Sequence, residues 1–426
     1  MKNNWRSGNS VDLLINGEAF FPRVYERIAQ AKKEIIIETF ILAEDKVGKQ
    51  LQQSLIAAAK RGVQVDLTVD DYGTWDLSTE FVKAMVDAGV RLHIFDPQPK
   101  IWGTRLNLFR RLHRKLVVID QQVAFIGGIN YSADHLMDFG EKAKQDYAVE
   151  LQGPIVADIH QTCMLLLLRG STRKERRAYI KHARADVPPA EGEIDALLAV
   201  RDNQWHKKDI EKQYLLAART AKHRLVIANA YFFPHFFLLR AFRRAAQRGV
   251  DVTLILQGCP DMPWVSNLSR LLYSYLLRGN VKIYEYCQRS LHGKIAIMDD
   301  EWVTVGSSNL DPLSCSLNLE ANVMLRDKAL NNRLHEHLQK LIENHCDPID
   351  MDAAQRGYWW RIPLIFVSFH FLRHFPSIAG WLPAHIPVLE MVRPKKQSRL
   401  NNSVTSDEDS EAEESTLKTY SKESIS

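Results

Sequence analysis

Cysteine is scarce in this chain of 426 residues, and the five cysteines are isolated and odd in number. No two of them form a C-x-x-C pair, so neither a disulfide framework nor a zinc site is expected. A reducing compartment fits this pattern best.

Long uncharged apolar runs are also missing. None reaches the ~18–20 residues that a membrane-spanning helix needs. The first residues, Met1 to Arg6, lead into no apolar stretch of the kind found in signal peptides, so we expect no such peptide. These two absences predict a protein of the cytosol or of the cytosolic side of a membrane.

The positive charge is modest overall but unevenly distributed. The whole chain carries a formal charge of +5, yet residues 403–426 contain seven acidic residues and two lysines. The rest of the chain therefore carries +10, which favours an anionic partner. Hydrophobic residues make up 46% and charged residues 25% of the sequence, which excludes a largely disordered or fibrous protein.

The chain repeats itself once. Residues 31–37 resemble residues 221–227, and each stretch begins a strand pattern that an amphipathic helix pattern follows. Each of these helices ends before a glycine, Gly62 or Gly249, that is typical of a helix C-terminus, and a β-branched run follows. Strands alternating with helices in two copies predict an α/β protein built from two similar halves.

The clearest signal is a motif, His-x-Lys-x4-Asp, that occurs once in each half. Residues two apart in a strand share a face, so the histidine and lysine of each copy point the same way. An imidazole beside an ammonium, present twice, suits a phosphodiester, because one imidazole can attack phosphorus while the other protonates the leaving alcohol. The candidate catalytic residues are His113, Lys115 and Asp120 in the first copy and His292, Lys294 and Asp299 in the second.

Further residues follow each motif. The lysines and the side-chain amides of Asn130 and Asn309 can neutralise non-bridging oxygens as charge builds in the transition state. Asp120 and Asp299 end predicted strands, where aspartate often caps or turns the chain, so a structural role stays open for both. One copy holds a single imidazole, and a pseudo-twofold pairing of the halves is therefore implied. Nothing in this chemistry requires a metal or another cofactor.

At these residues the sequence resembles the phospholipase D superfamily, whose duplicated signature is this motif. Within the superfamily it is most similar to bacterial cardiolipin synthases of the B type, over about Trp5 to Pro387. The resemblance implies two phospholipase D-like α/β halves, packed as a pseudo-twofold pair with the active site between them. The supporting stretches include Glu38–Ile41, Ala124–Ser132, Gln145–Ala148, Ala228–Phe233, Gly306–Ser314 and Leu317–Asn322.

The resemblance also implies a two-step mechanism. One histidine, His113 by family habit, forms a phosphatidyl-histidine intermediate while His292 protonates the departing glycerol. His292 then activates a hydroxyl of a second phosphatidylglycerol, and cardiolipin is released. Relatives orient each histidine with a downstream carboxylate, and Asp146 and Glu320 occupy the expected positions. No ATP is involved, and no G-x-x-x-x-G-K-[ST] loop is present.

A diacyl substrate requires a surface that meets a membrane. Two segments mix bulky apolar and basic residues, Lys100–Leu112 and Tyr358–Phe375, and Trp359, Trp360 and Trp381 could lie at headgroup level. The alternative for the second segment is a C-terminal helix packed on the body of the protein. The expected partners are phosphatidylglycerol and an anionic membrane surface, with no nucleic acid. The expected location is peripheral, on the cytoplasmic side of the inner membrane.

The predicted organisation has four parts. Residues 1–185 form the first half, 193–346 the second half, 347–393 an aromatic segment at the membrane interface, and 394–426 a disordered acidic tail. Two functional alternatives remain at this point. One is a hydrolase of the same superfamily, which would use the same histidines with water as acceptor. The other is a non-catalytic membrane-binding protein. The sequence does not determine the oligomeric state.

Overall fold

The computed structural model describes residues 5–74, 76–97, 100–101, 104–105, 110–169, 172, 174, 177, 188–259, 269–355, 363–364, 367, 370–371 and 388–393. The chain divides into a unit of Met1–Arg393 and a second of Pro394–Ser426. The predicted acidic tail coincides with the second unit and lies outside the described residues. The predicted aromatic segment, 347–393, belongs to the first unit, and most of it also lies outside the described residues.

The first half alternates strands with helices up to Leu167. Its strands are β1 (Arg6–Ile15), β2 (Glu34–Thr39), β3 (Gln64–Asp70), β4 (Arg91–Phe95), β5 (Lys100–Ile101), β6 (Thr104–Arg105), β7 (Leu116–Ile119), β8 (Val123–Gly127), β9 (Lys144–Gln145) and β10 (Tyr147–Gln152). Its α-helices are α1 (Asn16–Gln30), α2 (Lys46–Lys60), α3 (Thr79–Asp87) and α4 (Ile155–Leu167). Two 3₁₀ turns, Ala133–His135 and Met137–Phe139, follow β8.

The second half repeats this order. Its strands are β11 (Ile194–Arg201), β12 (Arg224–Asn229), β13 (Asp251–Gln257), β14 (Lys282–Tyr286), β15 (Ser290–Leu291), β16 (Lys294–Met298), β17 (Trp302–Gly306), β18 (Glu320–Arg326) and β19 (Cys346–Pro348). Its helices are α5 (Asp209–Thr220), α6 (Phe236–Gln247), α7 (Tyr273–Leu277), α8 (Pro312–Ser316), α9 (Lys328–His345) and α10 (Met351–Gln355), and β20 (Leu389–Met391) comes last.

One mixed sheet contains strands of both halves. Among the described residues it has sixteen strands, in the order β19-β14-β13-β12-β16-β17-β18-β11-β1-β10-β8-β7-β2-β3-β4-β20. The order reads the same from either edge once equivalent strands are matched, and the equivalent strands β1 and β11 pair antiparallel at the centre. This arrangement confirms the predicted α/β fold of two similar halves.

Helix ends follow the local sequence. Asp45 precedes α2 and accepts hydrogen bonds from the amides of Val47 and Gly48, which satisfies two of the free N–H groups at a helix start. Its other oxygen accepts from the amide of Ala133 at 2.6 Å, so α2 also holds the 3₁₀ turn after β8. Gly62 and Gly249 have φ of +89° and +94°, as expected for glycines after helix ends.

Apolar clusters bind the halves into one body. Helices α1–α3 pack on the first half through residues such as Leu51, and α5–α7 pack on the second through residues such as Phe242. A further cluster draws on strands of both halves and on α4 and α9, with Ile159 and Leu334 fully buried. Burial of a Leu or Ile side chain contributes roughly 1.5–3 kcal/mol, so the shared cluster fixes the halves relative to each other. Within the described ranges, no helix is long and apolar enough to cross a bilayer.

Candidate active site

Each motif histidine lies shortly before a strand, His113 before β7 and His292 before β16, and its backbone amide is bonded to the opposite half. The amide of His113 donates to the carbonyl of Leu319 at 2.9 Å, and the amide of His292 donates to the carbonyl of Gln145 at 2.9 Å. Strand β15, just before His292, pairs in parallel with β9 of the first half. The two motifs therefore lie where the halves meet.

The histidine side chains cross the same boundary. His113 Nδ1 lies 3.0 Å from Glu320 Oε2, and His292 Nδ1 lies 2.6 Å from Asp146 Oδ2. An ionised carboxylate only accepts hydrogen bonds, so each Nδ1 carries the proton and donates. This tautomer leaves Nε2 of each ring as the nitrogen that can attack or exchange a proton with a substrate.

Both lysines are buried beside the histidines. Lys115 Nζ donates to the carbonyl oxygen of His113 at 2.8 Å, and Lys294 Nζ donates to that of His292. Burial and the neighbouring Lys294 lower the pKa of Lys115 to about 7, although Glu320 partly opposes the shift. The effect of Lys294 on Lys115 indicates that the two lysines lie near each other.

The pKa values of both imidazoles lie below the ordinary value, so the rings are held neutral. Burial lowers the pKa of His113 and, with smaller contributions from Lys115 and Lys294, outweighs the opposing effect of Glu320. Burial and Lys294 lower the pKa of His292 well below its ordinary value. Each histidine thus responds to a lysine of the opposite half, because Lys115 also lowers the pKa of His292.

The two carboxylates differ in their surroundings. Burial raises the pKa of Asp146 to about 6 despite the nearby lysines. Burial also opposes ionisation of Glu320, but His113, Lys115 and the hydroxyl of Ser307 outweigh it and hold the pKa below its ordinary value. The first half has Gly128 in place of Ser307, and a Cβ there would lie 2.3 Å from Asp146 Oδ1. The two halves therefore differ in the pKa of the carboxylate that pairs with the motif histidine and in the groups that surround it.

The chain is similar in sequence to a protein-family model and to several named proteins. The family model described as "Cardiolipin synthase, PLD-like domain" matches residues 24–162 and 215–342. The chain belongs to this family of PLD-like cardiolipin synthases. It is 52% identical over 400 residues to cardiolipin synthase B of Salmonella typhi, which covers 94% of this chain and 96% of the relative. The match to cardiolipin synthase B of Escherichia coli K12 is 51% over 397 residues, 93% of this chain and 96% of the relative.

More distant matches agree with the fold. Cardiolipin synthase A of Pseudomonas putida is 30% identical over 338 residues, covering 79% of this chain and 69% of the relative. The crystal structure of phosphatidylserine synthase of Haemophilus influenzae superposes with a TM-score of 0.61 at 15% identity, covering 86% of this chain and 97% of that one. The sequence resemblance to PLD-like cardiolipin synthases is confirmed.

The aspartates of the two His-x-Lys-x4-Asp motifs, Asp120 and Asp299, lie away from the motif histidines. Asp120 follows the last residue of β7, about 16 Å along the chain from Lys115 at strand spacing. Its carboxylate accepts hydrogen bonds from the backbone amides of residues 32, 33 and 34 at 2.8, 2.7 and 2.9 Å. Asp299 does the same for the amides of residues 222, 223 and 224. These contacts place both side chains at the start of a neighbouring strand rather than beside the histidines.

The two asparagines lie at the histidine end of the sheet and are almost fully buried. Asn130 Oδ1 accepts a hydrogen bond from the amide of Ile41 at 3.2 Å, which orients its side chain. Asn309 Oδ1 has no hydrogen-bond partner among the described residues. A buried amide oxygen without a partner is costly unless a hydrogen-bond donor reaches it.

One buried residue near the site was missed in the sequence. His135 ends the 3₁₀ turn after β8, and its ring centroid lies 5.6 Å from that of His292. His135, Asp146 and His292 form a buried group, found among the described residues, whose potential ligand atoms lie within 4.8 Å of one another. Since the 2.6 Å hydrogen bond already joins His292 to Asp146, the geometry is that of a hydrogen-bonded cluster.

The predicted membrane-facing segments are only partly described. Of Lys100–Leu112, the structure describes the side chains of residues 110–112, and Leu112 is fully buried. Of Tyr358–Phe375, only a few scattered residues are described, and Trp359, Trp360 and Trp381 lie outside the described residues. The membrane role of both segments stays a prediction.

Proposed function

We propose that this chain joins two phosphatidylglycerol molecules into cardiolipin and releases glycerol. The observation that carries the proposal is the crossed pairing of His113 with Glu320 and of His292 with Asp146, which joins each motif imidazole to a carboxylate of the opposite half. In this proposal the two imidazoles serve one phosphodiester. Membership of the cardiolipin synthase family supports the choice of a lipid alcohol as acceptor.

In the first step, Nε2 of His113 attacks phosphorus, and the bond from phosphorus to the headgroup glycerol oxygen breaks. The protonated Nε2 of His292 gives its proton to that oxygen, so glycerol leaves as a neutral alcohol. The product is a phosphatidyl group on His113. An acid placed to protonate the leaving oxygen typically accelerates such a step by roughly 10²–10⁴.

In the second step, His292 acts in the reverse sense. Its neutral Nε2 takes the proton from a headgroup hydroxyl of the second phosphatidylglycerol, and that oxygen attacks phosphorus. The bond from phosphorus to His113 breaks, and cardiolipin is released. His292 finishes with the proton that it needs for the next cycle, so no external acid, base or energy source is consumed.

The bound phosphodiester changes the protonation balance. Burial and Lys294 lower the pKa of His292 and keep it neutral. A negative phosphodiester between Lys115 and Lys294 offsets their repulsion and raises the pKa of the imidazole, so substrate binding charges the acid. We assign the side-chain N–H groups of Asn130 and Asn309 as further donors to the phosphate oxygens.

The different carboxylates support the assignment of roles. Glu320 has its pKa held low, so it stays ionised and stabilises the positive charge of a phosphorylated His113. Asp146 has a pKa of about 6, near the range in which an acid–base pair must exchange protons. We therefore assign the nucleophile to His113 and the acid–base role to His292. Asp120 and Asp299 are assigned to holding the fold.

We further propose peripheral binding to a membrane, on the cytoplasmic side. Strand β7 runs antiparallel to β2 and β8, so the loops after β2 and β8 emerge at the histidine end of the sheet. Several large apolar side chains are exposed on the segments that follow these strands in both halves, among them Met137 and Phe139 in the second 3₁₀ turn after β8 and Phe237 in the first turn of α6, after β12. Exposed apolar residues around the entrance to a lipid site are typical of membrane contact.

The test is an assay with liposomes of phosphatidylglycerol and lipid products resolved by mass spectrometry. Cardiolipin with an equal amount of glycerol supports transfer. Phosphatidic acid instead would show hydrolysis, and lipid binding without turnover would show a binding protein. His113→Ala and His292→Ala should abolish product, and His93→Gln, which changes a buried histidine paired with Asp66 elsewhere in the first half, is the matched control.

A further inference from the structure

His135 approaches the oxygen that orients His292. It is fully buried, and its Nδ1 lies 3.7 Å from Asp146 Oδ2. The same oxygen accepts the 2.6 Å hydrogen bond from His292 Nδ1. The rings of His135 and His292 meet edge to face, with an angle of 78° between their planes.

The hydrogen bonds fix the tautomer of His135. The backbone amide of Asn130 donates to His135 Nε2 at 3.2 Å, so Nε2 is the unprotonated nitrogen. Burial and the cations of Lys144 and Lys294 hold the pKa of His135 well below its ordinary value, and the ring is neutral. Its proton is therefore on Nδ1 and faces Asp146. Nδ1 makes no hydrogen bond of normal length to another described residue.

The other half supplies a second donor in a different way. Glu320 accepts from His113 and also from the hydroxyl of Ser307. The position equivalent to Ser307 is Gly128, where a Cβ would collide with the carboxylate of Asp146. The position equivalent to His135, five residues after the motif asparagine, is Ser314. Each carboxylate thus faces one motif histidine and one further side-chain donor, but these further donors come from different positions. Asp146 Oδ1 also accepts a hydrogen bond from the backbone amide of Tyr147 at 2.8 Å, which leaves Oδ2 to the two histidines.

We propose that His135 is a positioning residue that holds Asp146 in the orientation that His292 needs, as Ser307 does for Glu320. The inference rests on the proposed function, because His292 is used in both steps of the transfer. His135 touches neither the phosphate nor the acceptor in this account. It acts by directing a second N–H toward Asp146 Oδ2, which tightens on substrate binding as catalytic hydrogen bonds commonly do.

Two substitutions separate this role from packing. His135→Asn places an N–H donor near the position of Nδ1 and loses the acceptor for the Asn130 amide. His135→Gln places an acceptor near the position of Nε2 and loses the donor to Asp146. We expect His135→Gln to lose roughly 10–100-fold in kcat with little change in KM, and His135→Asn to stay within about fivefold of the natural protein. His93→Gln serves as control for loss of a buried histidine.

A pH profile gives a readout that a purely structural role would not move. Asp146 faces His292, Lys294, Lys115 and Lys144 besides His135. Removal of one donor from this set raises the pKa of Asp146, so the acidic limb of the rate profile should move to higher pH in His135→Gln only. Equal losses in both variants, or a His135→Gln protein with the natural rate and profile, would overturn the proposal.

A spectroscopic measurement is independent of turnover. The proton on His292 Nδ1 should give a downfield resonance in the natural protein and in His135→Asn, and it should shift or broaden in His135→Gln. An unchanged resonance in His135→Gln contradicts the positioning role, even if the natural protein makes cardiolipin. A changed resonance in a protein that makes no cardiolipin would instead count against the proposed function alone.

Discussion

Replacement of Asp120 by alanine tests whether the motif aspartate acts in folding or in chemistry. The carboxylate accepts three backbone hydrogen bonds that fix the start of β2. These amides are partly open to water, so each bond contributes roughly 0.5–1 kcal/mol, or about 1.5–3 kcal/mol together. Asp120 also has φ of +51°, in the left-handed region, where alanine costs roughly 1 kcal/mol more. The expected loss of stability is about 3 kcal/mol.

Urea unfolding followed by circular dichroism measures that loss. Asp120→Asn should lose only about half as much, because asparagine tolerates the left-handed conformation and keeps one acceptor oxygen. Asp299 has φ of +48° and the same set of contacts at β12, so Asp299→Ala should behave like Asp120→Ala. At low temperature, where the variants are folded, kcat should stay within about threefold of the natural value. A variant of full stability with activity reduced more than 100-fold would refute this reasoning.

Three other outcomes follow from the site. The profile of kcat/KM against pH should be bell-shaped. Asp146 must be ionised and gains its charge above about pH 6, whereas Lys115 must be protonated and loses its charge above about pH 7. A flat profile between pH 5 and 9 would contradict this expectation. Gly128→Ala should lower kcat more than tenfold, since the new Cβ displaces the carboxylate of Asp146, and steady-state kinetics with a melting curve would show this. Ser307→Ala, which removes a donor from Glu320 without adding bulk, should lower kcat only several-fold in the same assay. Equal effects of these two substitutions would argue against the asymmetric support of the two carboxylates.

Much of the architecture is visible in the sequence because it is duplicated. The repeated strand and helix patterns, with Gly62 and Gly249 after equivalent helices, predict two similar α/β halves. The central pairing of β1 with β11 and the edge strands β19 and β20 were not predicted. β19 and β20 have only three residues each and β5 and β6 only two, and such short segments carry no periodic pattern to detect.

The crossed histidine–carboxylate pairs could not be predicted from local sequence patterns. The sequence places Asp146 and Glu320 downstream of their own motifs, and spacing along a chain does not reveal which histidine each one meets. The pairing depends on β15 lying beside β9 and on the bridge between Leu112 and Leu319. Those are contacts between halves, fixed by tertiary packing rather than by propensity.

Comparison of the two halves also fails to identify functional residues that occur in only one of them. His135 has Ser314 as its equivalent, so a search for repeated residues passes over it. Conversely, Asp120 and Asp299 repeat faithfully, yet they hold backbone amides at strand starts. Duplication marks residues that the fold needs twice, and it does not separate those needed for structure from those needed for chemistry.

A crystal structure of the protein with vanadate is the most direct test of the central claim that both motif histidines serve one phosphorus atom. Vanadate adopts the five-coordinate geometry of a phosphoryl transition state. We expect a single vanadate, with Nε2 of His113 bound to vanadium and Nε2 of His292 within hydrogen-bond distance, roughly 3 Å, of the oxygen on the opposite side. A vanadate held by one histidine, with the other ring directed elsewhere, would contradict it.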